Sequence, residues 1–135
     1  MQFNSYLFVG SFAFGTKDKS YVPLNGLIGD LQQQLPIDID AYCQALKTNE
    51  GHNGLVGEAY ALQWLDEDYT GIYLGVAFKY ESYAQAPEEH RCKVKTDFLV
   101  RVLRKWKAEE TEYKQDPEAY KAAIERGEKV FEIEE

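Results

Sequence analysis

Arg91-Cys92-Lys93-Val94-Lys95-Thr96-Asp97-Phe98-Leu99-Val100-Arg101-Val102-Leu103-Arg104-Lys105-Trp106 is the stretch in which the chain changes period. Up to Lys95, basic and apolar residues alternate, as in a short edge strand whose charges discourage further pairing. From Thr96 onward Phe98, Leu99, Val102, Leu103, Trp106 and Tyr113 recur at helical spacing, while Arg101, Arg104, Lys105 and Lys107 cover the opposite face. Lys95 would fall inside the apolar stripe if the helix reached back to it, so the helix begins at Thr96 or Asp97. Its apolar stripe is predicted to be the main helical contribution to the core.

Downstream, Asp116 followed by Pro117 and Glu118, with Gly127 at the far side, spells a second helix with Tyr120, Ala123 and Ile124 as its buried face. Lys129-Val130-Phe131-Glu132-Ile133 alternates and is predicted to close as a final strand. Upstream lies an antiparallel hairpin. Its first strand is carried by Val56, Tyr60, Leu62 and Trp64. The turn is Asp66-Glu67-Asp68-Tyr69-Thr70-Gly71, and the return strand carries Ile72, Leu74, Val76, Phe78 and Tyr80. Residues 49–57 hold three glycines and read as a loop.

Two further helices precede that loop. Leu24, Leu27, Ile28, Leu31 and Leu35 keep helical spacing until Pro36, with Gly26 and Gly29 marking irregularity or close packing. Ile39, Tyr42, Cys43 and Leu46 follow, with Asp38 as N-cap. The opening segment places Tyr6, Phe8, Phe12 and Phe14 on one face of a single strand apolar on both sides. A turn over Gly15–Ser20 leads to a short partner, Tyr21-Val22, halted by Pro23. Strands in local hairpins with helices in groups predict one α+β domain over 1–135, an antiparallel sheet packed against about four helices.

Composition sets limits on function. The 135 residues carry 15 basic and 23 acidic side chains, a net charge of −8, and are 44% hydrophobic, which is too apolar for disorder. Seven of the basic groups fall between Arg91 and Lys107, and ten acidic groups follow from 108 onward. That asymmetry bears on partners more than on fold. A pI near 4.8 disfavours direct nucleic-acid binding, which needs cations to release counterions. There is no apolar run long enough to cross a bilayer and no leader-like N-terminus, so the expectation is a cytoplasmic protein without membrane docking, with Cys43 and Cys92 as free thiols.

Catalytic patterns fail when tried on the residues. Gly10-Ser11-Phe12-Ala13-Phe14-Gly15-Thr16-Lys17 has the glycine spacing of a phosphate loop, but Thr precedes Lys and no helix follows the second glycine. His52, in the glycine-rich loop near Glu50 and Glu58, lacks a nucleophile and reads as an exposed or locally bonded histidine. His90 and Cys92 are two residues apart and suggest a thiol with a base, or two metal ligands, yet only Cys43 and His52 remain to complete a tetrahedral set. Asp66, Glu67 and Asp68 lack the ligand series of a calcium loop. No catalytic residue, metal site or cofactor is expected.

The reading that remains is a non-catalytic acidic interaction protein that binds and blocks a macromolecular partner, such as a nucleic-acid-binding protein. Inhibitors, immunity proteins and nucleic-acid mimics encoded by phage or mobile elements form that class. Its two candidate binding surfaces are the acidic tip Asp66, Glu67 and Asp68 and the basic helix face Arg101, Arg104 and Lys105. The alternatives are a small enzyme or ligand-binding domain with a site near His52 or His90 and Cys92, and a structural component of a larger assembly.

Overall fold

The structure is a computed structural model that describes residues 1–34, 36–52, 59–75 and 80–135. Expectations resting on Leu35, Val56, Glu58, Val76 and Phe78 lie outside the described residues. The strands are β1 Gln2–Phe8, β2 Ser11–Gly15, β3 Tyr60–Trp64, β4 Tyr69–Leu74, β5 Arg91–Lys95 and β6 Val130–Glu132. The helices are α1 Val22–Gln33, α2 Ile39–Ala45, α3 Asn49–His52, α4 Thr96–Gln115 and α5 Pro117–Glu125. The α+β class is as the sequence predicts, but the strands form two three-stranded antiparallel sheets, in the orders β2-β1-β6 and β3-β4-β5.

The opening segment departs from the expected single strand. It folds back on itself at Val9-Gly10, where φ is +50° and +78°, and Phe8 pairs with Ser11. Two consecutive residues at positive φ match the right-handed twist of the flanking strands and make the tightest hairpin turn. Reversal at that point separates the aromatic residues expected on one face: Phe12 and Phe14 are buried, whereas Tyr6 and Phe8 are exposed. Val9 hid the turn, because a β-branched residue at positive φ is a conformational outlier. With the hairpin complete by Gly15, Tyr21-Val22 is no strand. Lys19–Tyr21 forms a 3-10 turn leading into α1, with Pro23 in its first turn.

α1 packs against both sheets and buries Leu24, Leu27, Ile28 and Leu31. Its glycines differ. A Cβ on Gly26 would lie 2.1 Å from the Tyr60 ring, so only glycine permits that approach to β3. Asp30 ties the same junction, its Oδ2 accepting the backbone N–H groups of Ala59 and Tyr60, each at 2.8 Å. Along the other side of α1, Gln32 donates to the Phe12 carbonyl, and Asn25 exchanges hydrogen bonds with the N–H and C=O of Thr16. Gln32 also accepts from Trp106 Nε1 at 3.3 Å.

α4 begins at Thr96, as its period requires, and buries Phe98, Leu99, Val102, Leu103 and Trp106 in the common core with Phe3, Phe14 and Ile72. Asp38 and Asp116 cap α2 and α5 by accepting from Ala41 N and Ala119 N, each at 3.1 Å. β6 completes its sheet by pairing with β1, Phe3 opposite Phe131. α5 is fastened to this sheet through a buried polar cluster. A phenol has one proton and a carboxylate only accepts, so Tyr120 donates to Glu109 at 2.9 Å and receives the Ser5 hydroxyl at 2.6 Å. Lys129 closes the cluster 3.0 Å from Glu109.

Candidate functional site

The turn between β3 and β4 is built by one of its own carboxylates. Asp66 Oδ1 accepts the backbone N–H groups of Asp68 and Tyr69, each at 2.8 Å, an arrangement that aspartate makes readily in tight turns. Asp66 is thereby committed to the turn. The carbonyl of Asp68 then receives the N–H of Thr96 at 2.8 Å, which docks the acidic tip onto the start of α4. Lys95 supplies no side-chain cap there, so this backbone bond satisfies one of the helix's orphan donors.

Arg101, one turn into α4, donates through Nε and Nη2 to the carbonyl of Glu134, at 3.0 and 2.5 Å. That pins residues 134–135 across the helix. Glu135 in turn accepts the Tyr21 hydroxyl at 3.2 Å, and burial together with that carboxylate raises the Tyr21 pKa above its ordinary value. The outcome is a cavity of about 480 Å3 lined by Glu67, Asp68, Asp97 and Glu135, with Lys95, Arg101 and Thr96 among its walls. Glu67 and Asp68 were candidates for one interface and Arg101 for another; the fold places all three around one opening.

The other basic candidates point elsewhere and are occupied. Arg104 pairs with Asp40 of α2. Lys105 lies 3.4 Å from Glu109 and 4.1 Å from the centre of the Phe131 ring, and Lys107 lies 3.0 Å from Glu110. The four cavity carboxylates make no ion pair among the described residues. Positive charge on α4 is therefore largely neutralised within the molecule, and negative charge at the mouth of the cavity is left for solvent or a ligand.

His52 is not an exposed loop residue. It ends the short helix α3 at 2% exposure, with its ring edge-on to Trp64. Nδ1 lies 2.9 Å from the Thr48 carbonyl, which only accepts, so Nδ1 carries a proton. In the neutral ring Nε2 then accepts from the Thr70 hydroxyl at 3.1 Å, and Thr70 accepts from Thr96 at 2.7 Å. Every member of this chain is satisfied and buried. It connects α3, β4 and α4 beneath the cavity, and sequence spacing gives no hint of it because the three residues are far apart in the chain.

His90 sits in a 3-10 turn before β5 with Nδ1 3.4 Å from the Tyr80 hydroxyl. Cys92 lies in the core, where burial pushes its pKa up to about 12 against a smaller opposing hydrogen bond from the Leu24 backbone. A thiol held protonated in this way is the reverse of an activated nucleophile. Cys43 is also buried and free, raised above the ordinary thiol value by burial. Among the described residues no group of three or more His, Cys, Asp or Glu side chains is placed to hold a metal ion, and no helix is long and apolar enough to cross a membrane.

Chemically the cavity is an acceptor site. Its carboxylates can take the donors of lysine or arginine side chains, while Lys95 and Arg101 restrict the angle of approach. No family model matches the chain, and no curated protein or solved structure matches it either.

Proposed function

We propose that this protein is a non-catalytic acidic interaction protein, of the inhibitor, immunity or nucleic-acid-mimic type, that inserts a basic side chain of its partner into the cavity between the β3–β4 turn and the start of α4. The observation that carries the reading is the imbalance of pairing. Glu67, Asp68, Asp97 and Glu135 converge on one opening without ion pairs among the described residues, while Arg104, Lys105 and Lys107 are held by Asp40, Glu109 and Glu110. A cluster of unpaired carboxylates on a chain of net charge −8 attracts a basic surface and speeds its encounter. A partner that ordinarily binds nucleic acid has such a surface.

The test is parallel affinity capture from the native host with the wild-type chain and with a Glu67→Lys, Asp68→Lys variant. A basic partner that binds wild type, associates more slowly with the variant and is released by salt supports the proposal. Charge reversal at Arg104 and Lys105 is expected to change association little. A partner lost on reversing that basic pair instead, or one that is itself acidic, refutes it.

A further inference from the structure

We propose that the open edge of β5 takes up an extended acidic segment of a partner protein as a further antiparallel strand. This surface has the opposite chemistry to the acidic cavity: there the partner offers a cation, and here it offers backbone and carboxylates.

β5 pairs with β4 on one side and with no described strand on the other. The N–H of Thr96 reaches the Asp68 carbonyl, which makes that pair a hydrogen-bonded one, and in an antiparallel ladder such pairs recur at every second residue. Val94 and Cys92 therefore bond to β4, while the backbone groups of Arg91, Lys93 and Lys95 point out of the sheet. The Arg91 N–H is used by the Glu88 carbonyl, and the Lys95 carbonyl stands at the start of α4. The Arg91 carbonyl, both groups of Lys93 and the Lys95 N–H have no hydrogen-bond partner among the described residues. They are spaced as the bonds of one short antiparallel strand. Room for it lies in a depression of about 290 Å3 lined by Arg91, Cys92 and Lys93 together with Ser20 and Tyr21, with Glu88 as the carboxylate among its walls.

Charge selects which strand fits. The side chains of Arg91, Lys93 and Lys95 alternate with buried Cys92 and Val94 and so share the outer face of the sheet. None of the three makes an ion pair among the described residues, although the chain carries 23 acidic side chains against 15 basic ones. Neutral groups hold two of them instead. Arg91 donates to the carbonyls of Tyr83 and Ala84 at 3.1 and 3.3 Å, with its guanidinium 4.8 Å from the centre of the Tyr83 ring. Lys93 Nζ sits 4.4 Å from the centre of the Tyr69 ring. Their charge is oriented but not cancelled. Residues directly opposite one another in an antiparallel pair lie on the same face, where opposite charges stabilise and like charges repel. Cations at every second position therefore accept a strand with carboxylates at every second position and reject a second copy of β5. Lys95 borders the acidic cavity, so the demand for carboxylates is strongest opposite Arg91 and Lys93.

The probe is a blocked peptide, acetyl-Val-Glu-Val-Glu-Val-Glu-Val-amide, titrated into the full chain and followed by amide NMR and hydrogen exchange. Binding at about 10 μM to 1 mM is expected. In the free chain the N–H groups of Lys93 and Lys95 should exchange fast and those of Cys92 and Val94 slowly, and the peptide should slow the first pair about tenfold or more. N-methylation of the glutamates, whose N–H groups face β5, should abolish binding, whereas N-methylation of the valines leaves it. Lys93→Glu should weaken the peptide about tenfold or more and admit its counterpart with lysine in place of glutamate. No binding up to about 1 mM, equal binding of the glutamate-methylated or the lysine peptide to wild type, or a single-stranded oligothymidylate that occupies the edge as tightly overturns the proposal. The probe carries no cation, and the acidic cavity is tested through Glu67 and Asp68, so failure at one surface leaves the other standing.

Discussion

The hydroxyl of Ser5 and the phenol of Tyr120 meet at 2.6 Å across 115 residues of sequence, joining the middle of β1 to α5. Both side chains are almost wholly buried, at 2% and 3% exposure, and the phenol also bonds to Glu109. Tyr120→Phe keeps the ring and its contacts but leaves the Ser5 hydroxyl without its partner and removes one of the two donors to Glu109 Oε1, which Lys129 still reaches at 3.0 Å. The expected loss is about 1–3 kcal/mol by urea denaturation, the cost of buried groups left unsatisfied. A neutral outcome would show that water replaces the phenol.

The same cluster predicts a pH dependence. Burial alone raises the pKa of Glu109, but hydrogen bonds from Lys129 and Tyr120 and the charges of Lys105 and Lys129 outweigh it and hold the carboxyl below its ordinary range. A depressed folded pKa contributes stability that is present above the unfolded value and lost as pH falls through the folded one. Lys129 has the opposite sign. Burial lowers it, the carboxylates of Glu112 and Glu109 raise it further than that, and its contribution is lost as pH rises through a folded value above the usual lysine range. Comparing wild type with Glu109→Gln in urea at descending pH should show the gap narrowing in acid. A gap that holds constant or widens contradicts the assignment.

Trp106 is 1% exposed, and its indole N–H reaches Gln32, which also holds the Phe12 carbonyl. Trp106→Ala is expected to cost about 3–5 kcal/mol, because a large aromatic removed from a packed core leaves a cavity. Loosening of Gln32 should follow, seen as faster exchange of amides along β2. A loss below about 1 kcal/mol in chemical denaturation is incompatible with the packing described.

The two thiols should be silent in the native protein. With Cys92 pushed up to about 12 and Cys43 also raised by burial, neither offers appreciable thiolate at pH 8. A colorimetric disulfide reagent should register no fast reaction until denaturant is added and two equivalents afterwards. One rapid equivalent in the native state would mean that a thiol is accessible.

What the sequence made legible was what a local pattern encodes. The change of period at Thr96, the aspartate caps at 38 and 116 and the charged edge strand β5 each reside in a few neighbouring residues, and each is present. Gly26 was readable as a site of close packing, though not that the Tyr60 ring is what approaches it. The Val9-Gly10 reversal was missed because its first residue is a poor turn former, and the resulting strand error concealed the second sheet. The site eluded sequence reading for a different reason. Asp68 meets Thr96 and Arg104 meets Asp40 through tertiary packing, so the acidic tip and the basic helix looked like competing surfaces when one of the arginines borders the acidic cavity.

The pairing of β1 with β6 has a consequence for the order of events during synthesis. β1 is the central strand of its sheet, and the partner on one side follows within a few residues while the other is residues 130–132. A growing chain therefore carries the β1–β2 hairpin with its inner edge unpaired, and Phe3, Phe12 and Phe14 only partly covered, until all five of the described helices have been made. Such long-range closure slows folding and prolongs the exposure of an edge that can pair with other chains. Nascent chains interrupted before Val130 should consequently be the species most dependent on chaperones.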